Sequence, residues 1–182
     1  MAEREIIIDG DPVLRRRARS VRRFVTRLEE LVADMFDTLQ AASGLGLAAP
    51  QIGVSERVIV IQIPEDYEDD PAAGTTLALA NPEVVRARGE QTGQEGCLSV
   101  PRFYGQVCRA AQITVKGADL RGREVRLKAE GLLARVLQHE IDHLDGVLFI
   151  DKVEDGTLHF VGDEELEELG QSAAGAEVAS GT

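Results

Sequence analysis

The stretch from residue 132 to 145 reads LLARVLQHEIDHLD and combines a folding pattern with a chemical one. Its apolar residues recur three and four positions apart: Leu132, Leu133, Val136, Leu137, Ile141 and Leu144. Such spacing is typical of an amphipathic helix with one buried face, and Gly146 is a typical C-terminal stop. We therefore predict a helix over 132–145.

The same helix contains His139-Glu140-Ile141-Asp142-His143, the HExxH pattern. Imidazoles four residues apart share one helical face and can bind one metal ion, and the adjacent glutamate can act on water at that ion. Because the chain has only three histidines, this spacing would rarely arise by chance. We predict a metal site here, rather than two histidines that have no role.

A catalytic metal site of this type needs a third protein ligand. The extended pattern HExxHxxGxxH would place a histidine where this chain has Phe149. The acids Glu164 to Glu168 are more simply interpreted as a solvated helix face, and His159 as a surface residue. Cys97, in Glu95-Gly96-Cys97-Leu98-Ser99, is either a core filler or a thiolate ligand, and at this point both interpretations are open.

Residues 44–51 read GLGLAAPQ and also admit two interpretations. Alone they match the GxGxxA form of a dinucleotide-binding fingerprint. They follow a predicted helix rather than a strand, however, and Pro50 interrupts the helix that should begin there. The alternative is a loop whose glycines allow close backbone approach and which delivers the neutral amide of Gln51 to a site.

The flanking sequence predicts an α+β fold. An N-terminal amphipathic helix over 23–41 is indicated by Val25, Leu28, Leu31, Val32, Met35, Phe36 and Leu39. Strands are predicted over 6–8, 57–63, 77–80, 83–88, 106–116 and 124–129, with a short strand or buried strip over 147–150. Strands between an early and a late helix favour α+β over alternating βαβ units.

The composition fits one globular domain of 182 residues, of which 43% are hydrophobic. No apolar run reaches the ~20 residues of a membrane-spanning helix, and no apolar stretch of a secretory signal follows the charged N-terminus. Two cysteines are too few for a disulfide scaffold. We therefore expect a cytoplasmic protein in which Cys108 is a buried filler.

The formal net charge of −12 is concentrated in two segments. Residues 151–182 carry nine acids against one base and residues 65–70 carry five acids, which leaves +1 elsewhere. This acidity argues against DNA or general nucleic-acid binding. Seven arginines lie between residues 15 and 27. They either contact ribosomal RNA or form an exposed helix face balanced by Glu29, Glu30, Asp34 and Asp37, and we favour the second interpretation.

Three segments together resemble the signature motifs of the peptide deformylases: GLGLAAPQ (44–51), EGCLS (95–99) and QHEIDH (138–143), in this order. The lead-in GDPVLR (10–15) is also similar to the start of that family, and the resemblance extends from Ile6 to Ile150. It implies mixed and antiparallel sheets around a central helix that bears HExxH. We expect a catalytic domain over 1–160 and a tail over 161–182, with a short acidic helix over 163–169 and a disordered Ala/Gly/Ser-rich end.

The resemblance implies roles for nine residues. The metal ligands would be Cys97, His139 and His143. The catalytic groups would be Glu140, the Gln51 side chain and the Leu98 N–H, the last two as oxyanion donors. The substrate would contact Gly46 through its backbone, and Leu132 and Val136 through the formyl-methionine side chain.

The implied reaction is hydrolysis of the N-formyl group from nascent proteins that begin with formyl-methionine, which releases formate. Metal-bound hydroxide would attack the formyl carbonyl, with Glu140 as general base and then general acid. The implied cofactor is one divalent ion. We expect Fe(II), although a thiolate–imidazole set also accepts Zn, Ni or Co.

Two competing functions follow from the same residues. A peptidase with an HExxH site would cleave unformylated peptides and would use a third ligand other than Cys97. A structural metal or redox module would have four closed protein ligands, or a disulfide between Cys97 and Cys108, and no hydrolytic activity. Neither alternative accounts for the segment 44–51.

Overall fold

A computed structural model describes residues 2–67 and 70–162 of the chain. The helices are α1 (Thr26–Ala41) and α2 (Gly131–Leu144). The strands are β1 (Gly46–Ala48), β2 (Val58–Gln62), β3 (Thr76–Arg88), β4 (Gln91–Cys97), β5 (Val100–Arg109), β6 (Gln112–Ala118), β7 (Glu124–Glu130) and β8 (His159–Phe160). The predicted α+β class is confirmed, and each helix begins or ends within three residues of its predicted bounds.

The strands form a five-stranded sheet in the order β1-β2-β3-β6-β7 and a three-stranded sheet in the order β4-β5-β8. Every pair of neighbouring strands is antiparallel. In the described residues, parallel pairing is confined to an isolated bridge between Arg19 and Glu56. Both sheets are therefore antiparallel rather than mixed.

The larger sheet lies between the two helices. Ile59 and Ile61 of β2 pack in the same core cluster as Leu137 and Ile141 of α2. The alternate residues Val58 and Val60 pack with Val32, Met35 and Leu39 of α1. A strand covered on both faces is expected to be continuously apolar, as residues 58–61 of β2 are.

A third cluster of Leu14, Val100, Val107, Leu148 and Phe149 joins the smaller sheet to the chain after α2. Residues 147–150 are accordingly a buried strip and not a strand, because a 3₁₀ turn begins at Phe149.

The predicted continuous strand over 106–116 is wrong: β5 ends at Arg109 and β6 begins at Gln112. Between them the side chain of Gln138 on α2 accepts a hydrogen bond from the Ala110 N–H at 3.1 Å and donates to the Ala110 carbonyl at 2.9 Å. Both backbone groups are thus satisfied outside any sheet, which allows the chain to pass from the smaller sheet to the larger one.

The strands predicted over 77–80 and 83–88 are a single strand, β3, with a bulge after Ala80. The Asn81 side chain accepts from the Val21 N–H and donates to the Val21 carbonyl. These two bonds hold the bulge of β3 against the segment that precedes α1. Residues 6–8 are not a strand, although the Ile7 N–H donates to the Gln51 carbonyl at 2.8 Å. Strands β1, β4 and β8 were not predicted.

Two predictions about individual side chains are also wrong. Cys108 is exposed and not a buried filler. The arginines over 15–27 do not form a helix face, because α1 begins at Thr26 and contains only Arg27 of the seven. Arg15 pairs with Asp9 and Asp151, whereas Asp34 pairs with Arg4.

The C-terminal end of α2 is held by Arg57 at the start of β2. Its Nη1 donates to the Leu144 carbonyl at 3.1 Å and to Asp145 at 2.7 Å, and its Nη2 donates to the Pro82 carbonyl at 3.3 Å. A cation at a helix C-terminus is favourable because unpaired carbonyls carry partial negative charge there.

No helix within the described residues could cross a membrane. The predicted helix over 163–169 and the tail beyond it lie outside the described residues.

The N-terminal segment is attached to α1 through Asp34, whose carboxylate is buried on the helix. Arg4 donates to Asp34 Oδ2 at 2.6 and 2.9 Å, and the Ala2 N–H donates to Oδ1 at 2.8 Å. The hydrogen bonds from Arg4 and Ala2 lower the pKa of Asp34 below its usual 3.8.

We therefore expect Asp34→Asn to lower the midpoint of urea unfolding at pH 7. A lowered native pKa stabilises the fold fully above the unfolded-state value and ceases to do so as pH falls through the native value. The difference between the parent and Asp34→Asn should thus shrink as pH decreases below 3.8. Asp37→Asn, on the same helix, is the matched control. A difference that stays constant down to about pH 2 would contradict the assigned ionisation of Asp34.

Candidate active site

A cleft of about 600 Å³ lies where α2, β1 and the hairpin of β4 and β5 meet. Of the nine residues predicted for the site, eight line this cleft: Gly46, Gln51, Cys97, Leu98, Leu132, Val136, His139 and Glu140. The ninth, His143, is buried behind them and contacts Cys97. His159 is exposed, as predicted.

Cys97 at the end of β4 and both histidines of α2 form a cluster whose candidate ligand atoms all lie within 4.8 Å of one another. Cys97 Sγ is 3.2 Å from His143 Nε2, and the two imidazole centroids are 5.0 Å apart. The helix places the histidines one turn apart on the same face, and the β4–β5 pairing brings the cysteine to them.

His139 is oriented by Glu95, which sits two residues before Cys97 on β4. The His139 Nδ1 lies 2.9 Å from Glu95 Oε2. Burial alone would raise the pKa of Glu95, but hydrogen bonds from Arg109 and His139 bring it down to about 2. An ionised carboxylate only accepts hydrogen bonds, so Nδ1 must carry the proton, which leaves Nε2 as the ligand atom.

Glu95 is also the centre of a buried ion cluster. Arg109 donates to both its oxygens, at 2.6 and 2.8 Å, and Arg135 donates to Oε1 at 2.8 Å. Arg109 reaches Asp142 at 2.7 Å, and Asp142 in turn accepts from Lys152. This cluster joins β4 and β5 to the helix that contains the histidines.

Glu140 faces the cleft from α2 and is almost fully buried. Its Oε2 has no hydrogen-bond partner among the described residues. Burial raises the pKa of Glu140 to about 7, and the positive charge of His139 opposes that shift. A carboxyl group with a pKa near neutrality can both take up and return a proton.

The residues fit a divalent cation. Burial lowers the pKa of His143 well below 6.5, so this imidazole is neutral and can act as a ligand. Burial would also lower the pKa of His139, but hydrogen bonds with Cys97 and Glu95 raise it to about 10. Metal binding at His139 must displace that proton, because an imidazole that ligates a metal is neutral. His143 Nδ1 has no hydrogen-bond partner among the described residues.

Gln51 is fixed in one orientation beside Cys97. Its Oε1 accepts from the Ala48 N–H at 2.8 Å, which directs Nε2 toward Ser99 Oγ at 3.2 Å and Cys97 Sγ at 3.7 Å. Leu98 lies between the ends of β4 and β5 and lines the same cleft. Gln51 and Leu98 therefore line the same cleft as Cys97.

Glu95, Ser99, Arg109 and Arg135 were not predicted as site residues. Glu95 could have been found, because residues two apart on a strand share a face and Cys97 was already a candidate. Arg135 is four residues before His139 on the helix, a spacing that also indicates one face. Ser99 belongs to the segment EGCLS that carries the family resemblance, whereas the sequence contains no comparable signal for Arg109.

A cysteine sulfur and two imidazoles that converge beside a buried carboxylate are the donor set of a metal-dependent hydrolase. The family model described as polypeptide deformylase matches residues 3–158. The chain belongs to the peptide deformylase family.

The similarity extends over most of the chain. A peptide deformylase from Thermomicrobium roseum is 56% identical over 176 residues, which cover 96% of this chain and 99% of the relative. The crystal structure of peptide deformylase from Thermotoga maritima is similar with a TM-score of 0.77 at 37% identity, covering 85% of this chain and 99% of that one. The class I type b enzyme from Acinetobacter baumannii with bound Met-Ala-Ser has a TM-score of 0.78 at 34% identity, covering 84% and 99%.

We expect Glu95→Gln to weaken metal binding about 10- to 100-fold, since loss of a group that orients a ligand has this effect in metal sites. The glutamine amide would direct its N–H groups at side chains that are themselves donors, Arg109 and His139, and so could not replace the carboxylate as acceptor. Competition between the protein and a chromophoric chelator for Zn²⁺ measures the change, and Glu90→Gln on the surface is the control. Equal zinc affinity in Glu95→Gln and the parent would show that Glu95 does not orient His139.

We also expect Gly46→Ala to lower the deformylation rate about 100-fold or more, the contribution of a general base. An added Cβ would lie 2.5 Å from Glu140 Oε1, so the carboxylate must move. Gly162→Ala is the control, because a Cβ there meets nothing within 4 Å. Formate release by both variants, at matched metal content, provides the measurement. Full activity of Gly46→Ala would mean that the position of Glu140 is not critical.

Proposed function

We propose that this protein hydrolyses the N-formyl group of peptides that begin with formyl-methionine and releases formate and a free amine. The observation that carries the proposal is the convergence of Cys97, His139 and His143 beside Glu140 and Gln51 in one cleft. Membership of the deformylase family supports the choice of substrate.

The three proposed ligands are Cys97 Sγ and one nitrogen from each histidine. A divalent ion held by them would supply Lewis acidity and make water a nucleophile near neutral pH. We propose Fe(II) as the native ion. The soft thiolate and borderline imidazoles support it, and the same donors suit Zn, Ni or Co.

Glu140 is proposed to move the proton. Its carboxylate takes a proton from the attacking water as the new C–O bond forms at the formyl carbon. It then returns that proton to the nitrogen as the C–N bond breaks, so that the amine leaves neutral. The burial of Glu140 and its pKa of about 7 support this double role.

Gln51 and the Leu98 N–H are proposed to stabilise the oxyanion that develops on the formyl oxygen. The hydrogen bond from Ala48 to Gln51 Oε1 leaves Nε2 as the group that faces Cys97. A fixed donor of this kind contributes roughly 3 kcal/mol to transition-state stabilisation in other acyl-transfer sites.

The peptide is proposed to bind as an added strand beside β1. This strand is at one edge of the five-stranded sheet, so the backbone of Gly46 pairs with β2 on one side only. The Met-Ala-Ser bound to the A. baumannii enzyme supports a short peptide as ligand. Leu132 and Val136, which line the cleft about two turns and one turn before His139, would contact the methionine side chain.

The proposed catalytic domain is 1–160, and the match of the family model over residues 3–158 supports it. A cytoplasmic location and a transient ribosome contact stay predictions, as does the absence of a DNA partner. The proposed substrates are nascent peptides with an N-terminal formyl-methionine.

Glu140→Ala should retain the metal and lose deformylation by about 10²- to 10⁴-fold, the usual contribution of such a group. Cys97→Ala should lose metal as well as activity. The test is formate release from a formyl-Met peptide by anaerobically prepared protein, with metal analysis of the same samples and Glu90→Ala as the surface control.

Parent-level turnover by Glu140→Ala would overturn its role, and unchanged metal stoichiometry in Cys97→Ala would remove Cys97 from the ligand set. Release of free methionine from an unformylated peptide, without formate from the formylated one, would favour the peptidase alternative.

A further inference from the structure

A second cavity, of about 420 Å³, lies on the larger sheet at the strands β3, β6 and β7. None of the residues that line it lines the catalytic cleft. Three of its lining residues are the exposed cations Arg86, Arg88 and Lys128. In a chain with a net charge of −12, such a cluster needs an explanation.

The strand register places these groups in two rows across three strands. Arg86 is opposite Thr114, which is opposite Lys128. Neighbouring strands are ~4.8 Å apart, so the Cα atoms of Arg86 and Lys128 are separated by about 10 Å, with a hydroxyl between them. In the next row Arg88 is opposite Gln112, which is opposite Glu130.

The three cations are not used within the described part of the chain. The side chains of Arg86, Arg88 and Lys128 make no hydrogen bond or ion pair with any residue in 2–67 or 70–162. Their neighbours are paired: Lys116 and Arg126 share Glu124, and Glu130 accepts from Gln112 at 3.3 Å. The cavity is therefore lined by one acidic residue, Glu130, whose side chain has a partner, and by three basic side chains without one among the described residues.

We propose that this surface, hereafter the β3–β6–β7 face, binds the phosphate backbone of single-stranded or looped RNA. Two guanidinium groups and an ammonium, with hydroxyl and amide donors between them, match the charge and hydrogen bonding of successive phosphates. The lining residues include no aromatic side chain on which a base could stack, so recognition is of backbone rather than sequence.

The overall acidity of the protein does not prevent such binding. Charges further apart than the Debye length, about 8 Å at physiological ionic strength, are largely screened from each other at a surface. The affinity of the β3–β6–β7 face is thus set by its own charged groups, which are three cations and Glu130. An enzyme that acts on nascent peptides works beside RNA, and a weak, salt-sensitive contact would raise its local concentration there.

The experiment measures fluorescence anisotropy of a labelled RNA of about twelve nucleotides, titrated with full-length protein from about 20 to about 200 mM KCl. The parent should show a log–log salt slope near −2, since three contacts on single strands each contribute about −0.7. The triple variant Arg86→Glu, Arg88→Glu, Lys128→Glu should bind at least about 10-fold more weakly at the lowest salt and have a slope near zero.

The matched control is Arg16→Glu, Arg22→Glu, Arg23→Glu, which makes the same charge change in the other arginine-rich region. It should weaken binding by less than about 3-fold. Formate release from a formyl-Met peptide should be unchanged in both variants, which shows that they are folded and separates this proposal from the catalytic one.

Equal loss of RNA binding in the two triple variants would overturn the proposal, because binding would then depend on net charge alone. Oligo(A) and oligo(U) affinities that differ by more than about 10-fold would also contradict backbone recognition. A third contradicting outcome is binding to phosphatidylserine vesicles, lost in the Arg86/Arg88/Lys128 variant, without binding to RNA. That result would assign the face to a membrane.

Discussion

The rest of this molecule depends on the ion pairs and hydrogen bonds of the Glu95 carboxylate. It is buried, and a buried charge is tolerated only when its partners are all in place. Arg109 comes from the neighbouring strand, and Arg135 and His139 come from the helix. The smaller sheet can thus dock on α2 in one position only, and this position sets the distance between Cys97 and the two histidines.

The larger sheet controls the other side of the site. Strand β2 is covered by α2 on one face and by α1 on the other, so both helices are fixed relative to it. Because β1 pairs with β2, β1 is fixed relative to the helices as well. Gly46 of β1 then passes so close to Glu140 that no side chain would fit between them. The Glu140 carboxylate is therefore positioned by backbone, which moves less than a side chain would.

The sequence indicates those parts of the fold and site that depend on local spacing. Helical periodicity located α2 and placed its histidines on one face, and motif resemblance located Gln51 and Cys97. Pairings between segments that are far apart in the sequence could not be predicted from local patterns. Strand β4, with its glycines and glutamines, has little strand propensity and forms because β5 pairs with it. The division of 106–116 into two strands depends on a side chain of α2 that no local pattern connects to Ala110.

The shortness of β1 has a consequence for self-association. An unpaired sheet edge is a template on which other chains can add and aggregate, and natural proteins blunt such edges in several ways. Here the edge must stay open if a peptide is to bind. With only three residues, Gly46 to Ala48, it offers about 10 Å of ladder. Such a length accommodates the beginning of one peptide but gives a second copy of the protein too little backbone to propagate a fibril.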